Sequence, residues 1–224
     1  MDRAKIKAEA KQKIKGHLWD IWKPYLVYLF ISLIISIVIQ LIFGPTTSVK
    51  YNEHAKTLSD LMESMKFETN YFATFAQELF NFLLIPMQIG MAGYMLNFVR
   101  GKKYNLDSLK EFYPKIGNIL IMTILMSLFM SIGFVLCIIP GIIIALMYAM
   151  VNYIFADDPE QGPFEYLKKS KAMMDGYKGD FFVFEFSFIG WWLACILIFP
   201  IIWVYPYVSA ANALYYEELK KVKK

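Results

Sequence analysis

Seven side chains with hydrogen-bonding or acid–base capacity interrupt stretches that are otherwise almost wholly apolar: Tyr148, Asn152, Tyr153, Glu185, Tyr207, Asn212 and Tyr215. An amide or carboxylate in such surroundings is costly, so each belongs either to a partnered structural contact or to a site. Asn152 stands four residues after Tyr148, a spacing that puts both on one helix face, with Tyr153 beside it. Asn212 and Tyr215 form a similar pair. In Tyr205-Pro206-Tyr207 the proline leaves the carbonyl of Ile202 without its helical donor. Four acids, Asp157, Asp158, Glu217 and Glu218, close two of the apolar stretches. The helix dipole disfavours anions at a C-terminal end, so they are expected to draw on Lys168, Lys169, Lys171 and the N-terminal lysines.

No spacing that assembles a nameable mechanism is present: no phosphate-binding loop, nucleophile elbow, HExxH, dinucleotide fingerprint or CxxC. Cys137 and Cys195 lie in apolar runs and are expected as small buried hydrophobes. His17 and His54 are far apart. The chain is therefore read as no enzyme, with no catalytic residue, no cofactor, no metal and no nucleic-acid partner.

The elements that must hold these groups follow from length. Residues 118–158 carry no charge before Asp157. As one helix they would span about 60 Å, twice the roughly 30 Å of a hydrocarbon core. They must cross, turn and return, and Ile139-Pro140-Gly141 offers the turn. With 58% hydrophobic residues in 224, the sequence predicts a single all-α integral membrane domain with spans at about 24–43, 72–99, 118–137, 139–156, 181–199 and 200–216. Span 1 reads as a retained anchor rather than a secretory signal. The loop 44–71 is polar, and Ser59 is expected to open a short helix containing Met62 and Met65. Residues 1–23 and 163–175 read as amphipathic helices. In the first, Ile6, Ala10, Ile14, Leu18 and Ile21 form one apolar stripe expected to lie on the membrane surface, with Trp19 and Trp22 at the interface. In the second, Tyr166, Leu167, Ser170, Met173 and Met174 share one arc, opposite Glu165, Lys168, Lys169 and Lys171.

By this assignment 20 of the 23 lysines and arginines fall on one side and three in the 44–71 loop. That bias places both termini in the cytoplasm and the loop outside, against an anionic inner leaflet of the cytoplasmic membrane.

Leu84-Ile85-Pro86, Ile138-Ile139-Pro140 and Ile198-Phe199-Pro200 share a phrase, each preceded by a glycine: Gly16, Gly117 and Gly176. Gly117 to Pro140 is 23 positions and Gly176 to Pro200 is 24. The expectation is three hairpins related as a pseudo-threefold repeat.

The run Ile139-Pro140-Gly141, Tyr148, Met150, Tyr153, Asp158-Pro159, Leu167, Ser170, Met173-Met174, Gly176, Lys178, Phe188-Ile189-Gly190-Trp191, Pro206-Tyr207, Ala211 and Tyr215-Tyr216, with Ile6-Lys7-Ala8 and Ala10-Lys11 before Gly16, resembles a widespread family of bacterial six-span membrane proteins classed as a domain of unknown function. The resemblance implies a bacterial cytoplasmic membrane and brings no substrate or catalytic residue with it. A more distant likeness is to the membrane domain attached to some glycerophosphodiester phosphodiesterases, whose catalytic part is absent here. The function expected is an accessory, sensing or protective protein that binds a lipid, a peptide or a membrane-protein partner. The alternative is a small transporter or channel acting as an oligomer, with the span asparagines in its path.

Overall fold

The computed structural model describes residues 1–50, 57–64, 66–197 and 199–223. His54, Met65 and Ile198, which entered the readings above, lie outside the described residues. The chain divides into two compact units, Val27–Leu84 and the remainder, Met1–Leu26 with Ile85–Lys224.

The smaller unit takes most of α2 (Leu18–Phe43), the strands β1 (Thr47–Lys50) and β2 (Lys66–Thr69), the short helix α3 (Leu58–Ser64) and the first half of α4 (Tyr71–Val99). Besides the short helix, the loop carries two strands that the sequence reading did not include: β1 and β2 pair antiparallel, from Thr47 opposite Thr69 to Lys50 opposite Lys66. Thr57 and Asp60 exchange backbone-to-side-chain bonds at 3.2 and 3.1 Å, a reciprocal cap that starts α3 one position before the expected Ser59. Asn70 caps α4 by accepting from the Ala73 amide at 3.1 Å, and its own amide donates at 2.7 Å to the carbonyl of Phe43, the last residue of α2.

The larger unit holds α1 (Arg3–Ile14), 3₁₀ turns at Leu106–Leu109 and Tyr113–Lys115, α5 (Ile116–Leu136), α6 (Ile138–Tyr148), α7 (Val151–Asp157), α8 (Pro163–Met173), α9 (Lys178–Phe186), α10 (Ile189–Ala194) and α11 (Ile201–Val222). Its core joins Ile6, Ala10 and Ile14 of α1 to Phe155, Tyr166, Phe184, Phe188, Tyr215 and Leu219. Among the described residues, five helical stretches are long and apolar enough to cross a membrane: Leu18–Phe43, Tyr71–Val99, Leu106–Leu136, Ile138–Asp157 and Lys178–Leu197. The sixth expected stretch, 200–216, lies in α11, which carries Asn212, several tyrosines and a charged last turn and is not one of the five.

The structure corrects several expectations. The apolar stripe of α1 is covered by α11 rather than left for lipid, because Ile6, Ala10 and Ile14 are all buried. The break between spans 3 and 4 falls at Cys137, whose backbone is extended, and Pro140 sits in the first turn of α6, where no donor is needed. Cys137 is exposed and Cys195 half-buried, so neither is a buried core residue. The α5–α6 turn closes tightly: a Cβ on Gly141 would come within 2.4 Å of the Phe134 ring, and one on Gly133 within 2.7 Å of Ile144. Pro86 lies inside the continuous α4, so the chain does not turn there and the shared phrase marks no hairpin at that point. Gly16 and Gly176 adopt the left-handed conformation, at φ of 85° and 79°, after α1 and α8. Gly117, in contrast, is an ordinary residue of α5, and the threefold correspondence fails at that glycine. Glu217 and Glu218 do not end their helix, since α11 runs on to Val222 with Leu219 buried.

Candidate functional site

Two groups of polar residues emerge in the larger unit. The first is ionic and is built around Arg100, directly after the last residue of α4. Its Nη1 donates at 2.7 Å to Asp157 at the end of α7, and its Nε donates at 2.8 Å to Glu217 of α11. Lys220 and the Tyr216 hydroxyl, the latter at 3.1 Å, also donate to Asp157. The three side chains are 18%, 14% and 22% exposed, dry enough for the pairs to carry weight. Burial counts against the Arg100 charge, but the bonds to Asp157 and Glu217 outweigh it and hold the guanidinium above its ordinary value. Asp158 and Glu218 are not in this network: Asp158 pairs with Lys169 at 3.8 Å, and Glu218 with Lys221 at 2.6 Å. Of the lysines expected as partners, Lys169 makes a contact of this kind while Lys168 and Lys171 face outward. Nothing in local spacing pointed to Arg100, 57 positions before Asp157. The available signal was that Arg100, one of two arginines in the chain, falls at the end of an apolar stretch.

Beside this network is a cleft of about 380 Å³ lined by Ile154, Asp157, Asp158, Lys169, Ala172, Met173, Tyr216, Lys220 and Lys223. Its lining mixes apolar side chains with three lysines and two aspartates. Lys223 lies over the Tyr177 ring, 5.5 Å from its centre. α8 gives the cleft Lys169, Ala172 and Met173, while its Tyr166, Leu167 and Ser170 are buried in the core and Lys168 and Lys171 are exposed.

The second group comprises the polar residues of the apolar stretches, which the structure distributes over several places. Tyr148 and Asn152 do not share a helix, because the chain breaks at Ala149–Met150 between α6 and α7. The carbonyl of Met147 at that break accepts from the Ser170 hydroxyl at 2.8 Å. Asn152 and Tyr153 line a cavity of about 220 Å³ with Gln88, Tyr94, Tyr205, Ser209 and apolar neighbours, and no charged side chain contributes to its wall. Tyr153 also stacks on Tyr216, with ring centres 5.5 Å apart. Glu185 and Asn212 are neighbours, and Glu185 Oε1 and Asn212 Oδ1 are buried without a hydrogen-bond partner. Tyr207 meets Phe188 edge-on at 5.3 Å, and Tyr148 faces Phe129 at 6.1 Å. Tyr215 donates at 2.9 Å to Asp180, which also faces the Met1 amino group at 3.9 Å and Arg3 at 3.5 Å.

Lys7 joins this second group from α1, a role its sequence context did not suggest. Its ammonium donates to the Ser187 hydroxyl and lies 4.5 Å from the Phe188 ring centre. Burial first, and the Arg3 charge second, hold it below the ordinary lysine value, with Glu185 pulling the other way. Among the described residues, no three His, Cys, Asp or Glu converge as metal ligands would.

Long apolar helices whose charged ends are stitched to one another fit an integral membrane protein of the helical class. A DUF975 domain, described as a protein of unknown function, is found at residues 132–223, from the end of α5 through α11. No match is found among curated proteins or among solved structures.

Proposed function

We propose that the chain is a six-span protein of the bacterial cytoplasmic membrane, with both termini inside, that works by binding an anionic lipid or peptide rather than by catalysis. The bias of lysine and arginine toward one side supports the orientation. The observation that carries the binding role is the cleft beside Arg100, lined by Ile154, Ala172 and Met173 and by three lysines, of which Lys169 and Lys220 pair with Asp158 and Asp157 of the same lining and Lys223 has no carboxylate partner among the described ion pairs. Basic groups among apolar side chains at the headgroup level suit an anionic amphiphile. In this reading Arg100, Asp157 and Glu217 form the frame that holds α4, α7 and α11 around the cleft. Native mass spectrometry of the detergent-released protein tests it. Wild type should retain an anionic lipid or peptide that Lys169→Gln/Lys223→Gln loses. Retention of nothing, or equal retention by both, counts against it.

A second reading, a small transporter or channel acting as an oligomer, is favoured by the uncharged polar cavity that opens at the Ala149–Met150 break. Interrupted helices beside a polar cavity are a recurrent transporter device. Flux of neutral solutes in proteoliposomes, absent for Asn152→Leu, supports that reading, and equal flux in empty vesicles removes it.

A further inference from the structure

Lys7 occupies a box with more acceptors than it uses. Its ammonium carries three donors, and the bond to Ser187 takes one of them. The Phe188 ring at 4.5 Å and the Phe184 ring at 5.9 Å add a cation–π face. Near Lys7 are Glu185, two residues before Ser187, whose carboxylate acts on the Lys7 charge, and Asn212, a neighbour of Glu185. Glu185 Oε1 and Asn212 Oδ1 are both buried and have no hydrogen-bond partner. Two unserved acceptors, one of them a carboxylate oxygen, together with two ring faces ask for N–H donors and positive charge together.

We infer that Glu185, Asn212, Ser187, Phe184 and Phe188 form a binding site for a primary ammonium group, which Lys7 fills as a displaceable internal ligand. The long stem of Lys7 reaches in from α1 and serves Ser187 but leaves the deeper acceptors open. A primary ammonium on a freer carrier would serve both. A quaternary ammonium would not, since it has no hydrogen to donate. Lys7 can leave by rotation of its own long side chain, α1 staying packed against α11 through Ile6, Ala10 and Ile14. The inference is independent of the lysine-lined cleft, because Lys7, Glu185 and Asn212 line neither cavity.

Chemical rescue tests it. Lys7→Ala should lower Tm, and propylammonium should restore most of that loss, while sodium or tetramethylammonium at equal ionic strength should not. Wild type should respond equally to all three salts, and Lys7→Ala/Glu185→Gln should lose the selectivity. Nanodiscs separate the sources: stabilisation of Lys7→Ala by phosphatidylethanolamine over phosphatidylcholine identifies a lipid headgroup, and response to propylammonium alone identifies a soluble amine. Where Lys7→Ala does not survive purification, extraction in propylammonium throughout should recover monodisperse protein. Absence of recovery in every buffer, an unselective response, or a selective one that persists without Glu185 overturns the inference.

Discussion

The indole N–H of Trp22 donates at 2.9 Å to the carbonyl of Ile202, the one that Pro206 leaves without a helical partner. The same solution recurs in α2. Pro24 frees the carbonyl of Asp20, which accepts from the Tyr94 hydroxyl at 2.7 Å. Two prolines that would each weaken a helix instead become points where a second helix attaches.

Trp22→Phe keeps a ring against Tyr25 and Tyr205 but removes the donor. The expected cost is about 1 kcal/mol of stability. Pro206→Ala returns an N–H to Ile202, so the cost of Trp22→Phe should shrink in that background. Thermal melts of the four proteins of the cycle measure this; an unchanged cost would show that the indole bond does not serve the proline gap.

Arg100→Gln leaves Asp157 and Glu217 buried without their shared cation. Breaking a buried pair from one side costs about 3–5 kcal/mol, so this should be the most damaging single change at the charged network. Adding Asp157→Asn and Glu217→Gln removes the stranded charges and should recover part of the loss. A single variant that melts like wild type would make the network ornamental.

The charged network and the proline contacts differ in how far the sequence could show them. Apolar run lengths reported the long helices, and the identity of Pro206 reported which carbonyl would need a donor, because both are local properties of the chain. The break at Ala149–Met150 was hidden, since no glycine or proline marks it and Ser170, which satisfies the freed Met147 carbonyl, lies 23 positions on. The stripe of α1 was visible as a stripe, but periodicity tells which face is apolar and not whether lipid or α11 covers it. Arg100 was seen as a charge at a helix end. Its partners lie 57 and 117 positions away, beyond anything spacing can report.

Asn212 and Asn152 should respond differently to replacement by leucine. Asn212→Leu replaces a polar neighbour of the Glu185 carboxylate by an apolar one. Asn152→Leu only makes a cavity wall less polar. Asn152→Leu is expected to cost about 1 kcal/mol or less and Asn212→Leu distinctly more. Melting temperatures of the two variants, compared with Glu185→Gln/Asn212→Leu, decide this. Equal losses for the two single variants would contradict the assignment.

Sidedness is checked by labelling in a background without Cys137 and Cys195. A cysteine at Ser59 should react with an impermeant maleimide on intact cells, and one at Lys110 should react only after permeabilisation. The reverse pattern would invert the orientation proposed for the whole chain.

The helix α11 takes Trp22 on the carbonyl of Ile202, Arg100 on Glu217 and Asp157 on Tyr216 and Lys220, and it covers the buried face of α1. Each of these partners precedes it in the chain. During synthesis, therefore, α1 waits with its apolar face uncovered, and the Arg100–Asp157 pair waits for Glu217, Tyr216 and Lys220. Insertion can proceed span by span, but closure waits on a single late segment. A nascent chain halted before Ile201 would present the quality-control machinery with an open, charged bundle, and its rapid degradation would be the cellular signature of a protein that locks from its far end.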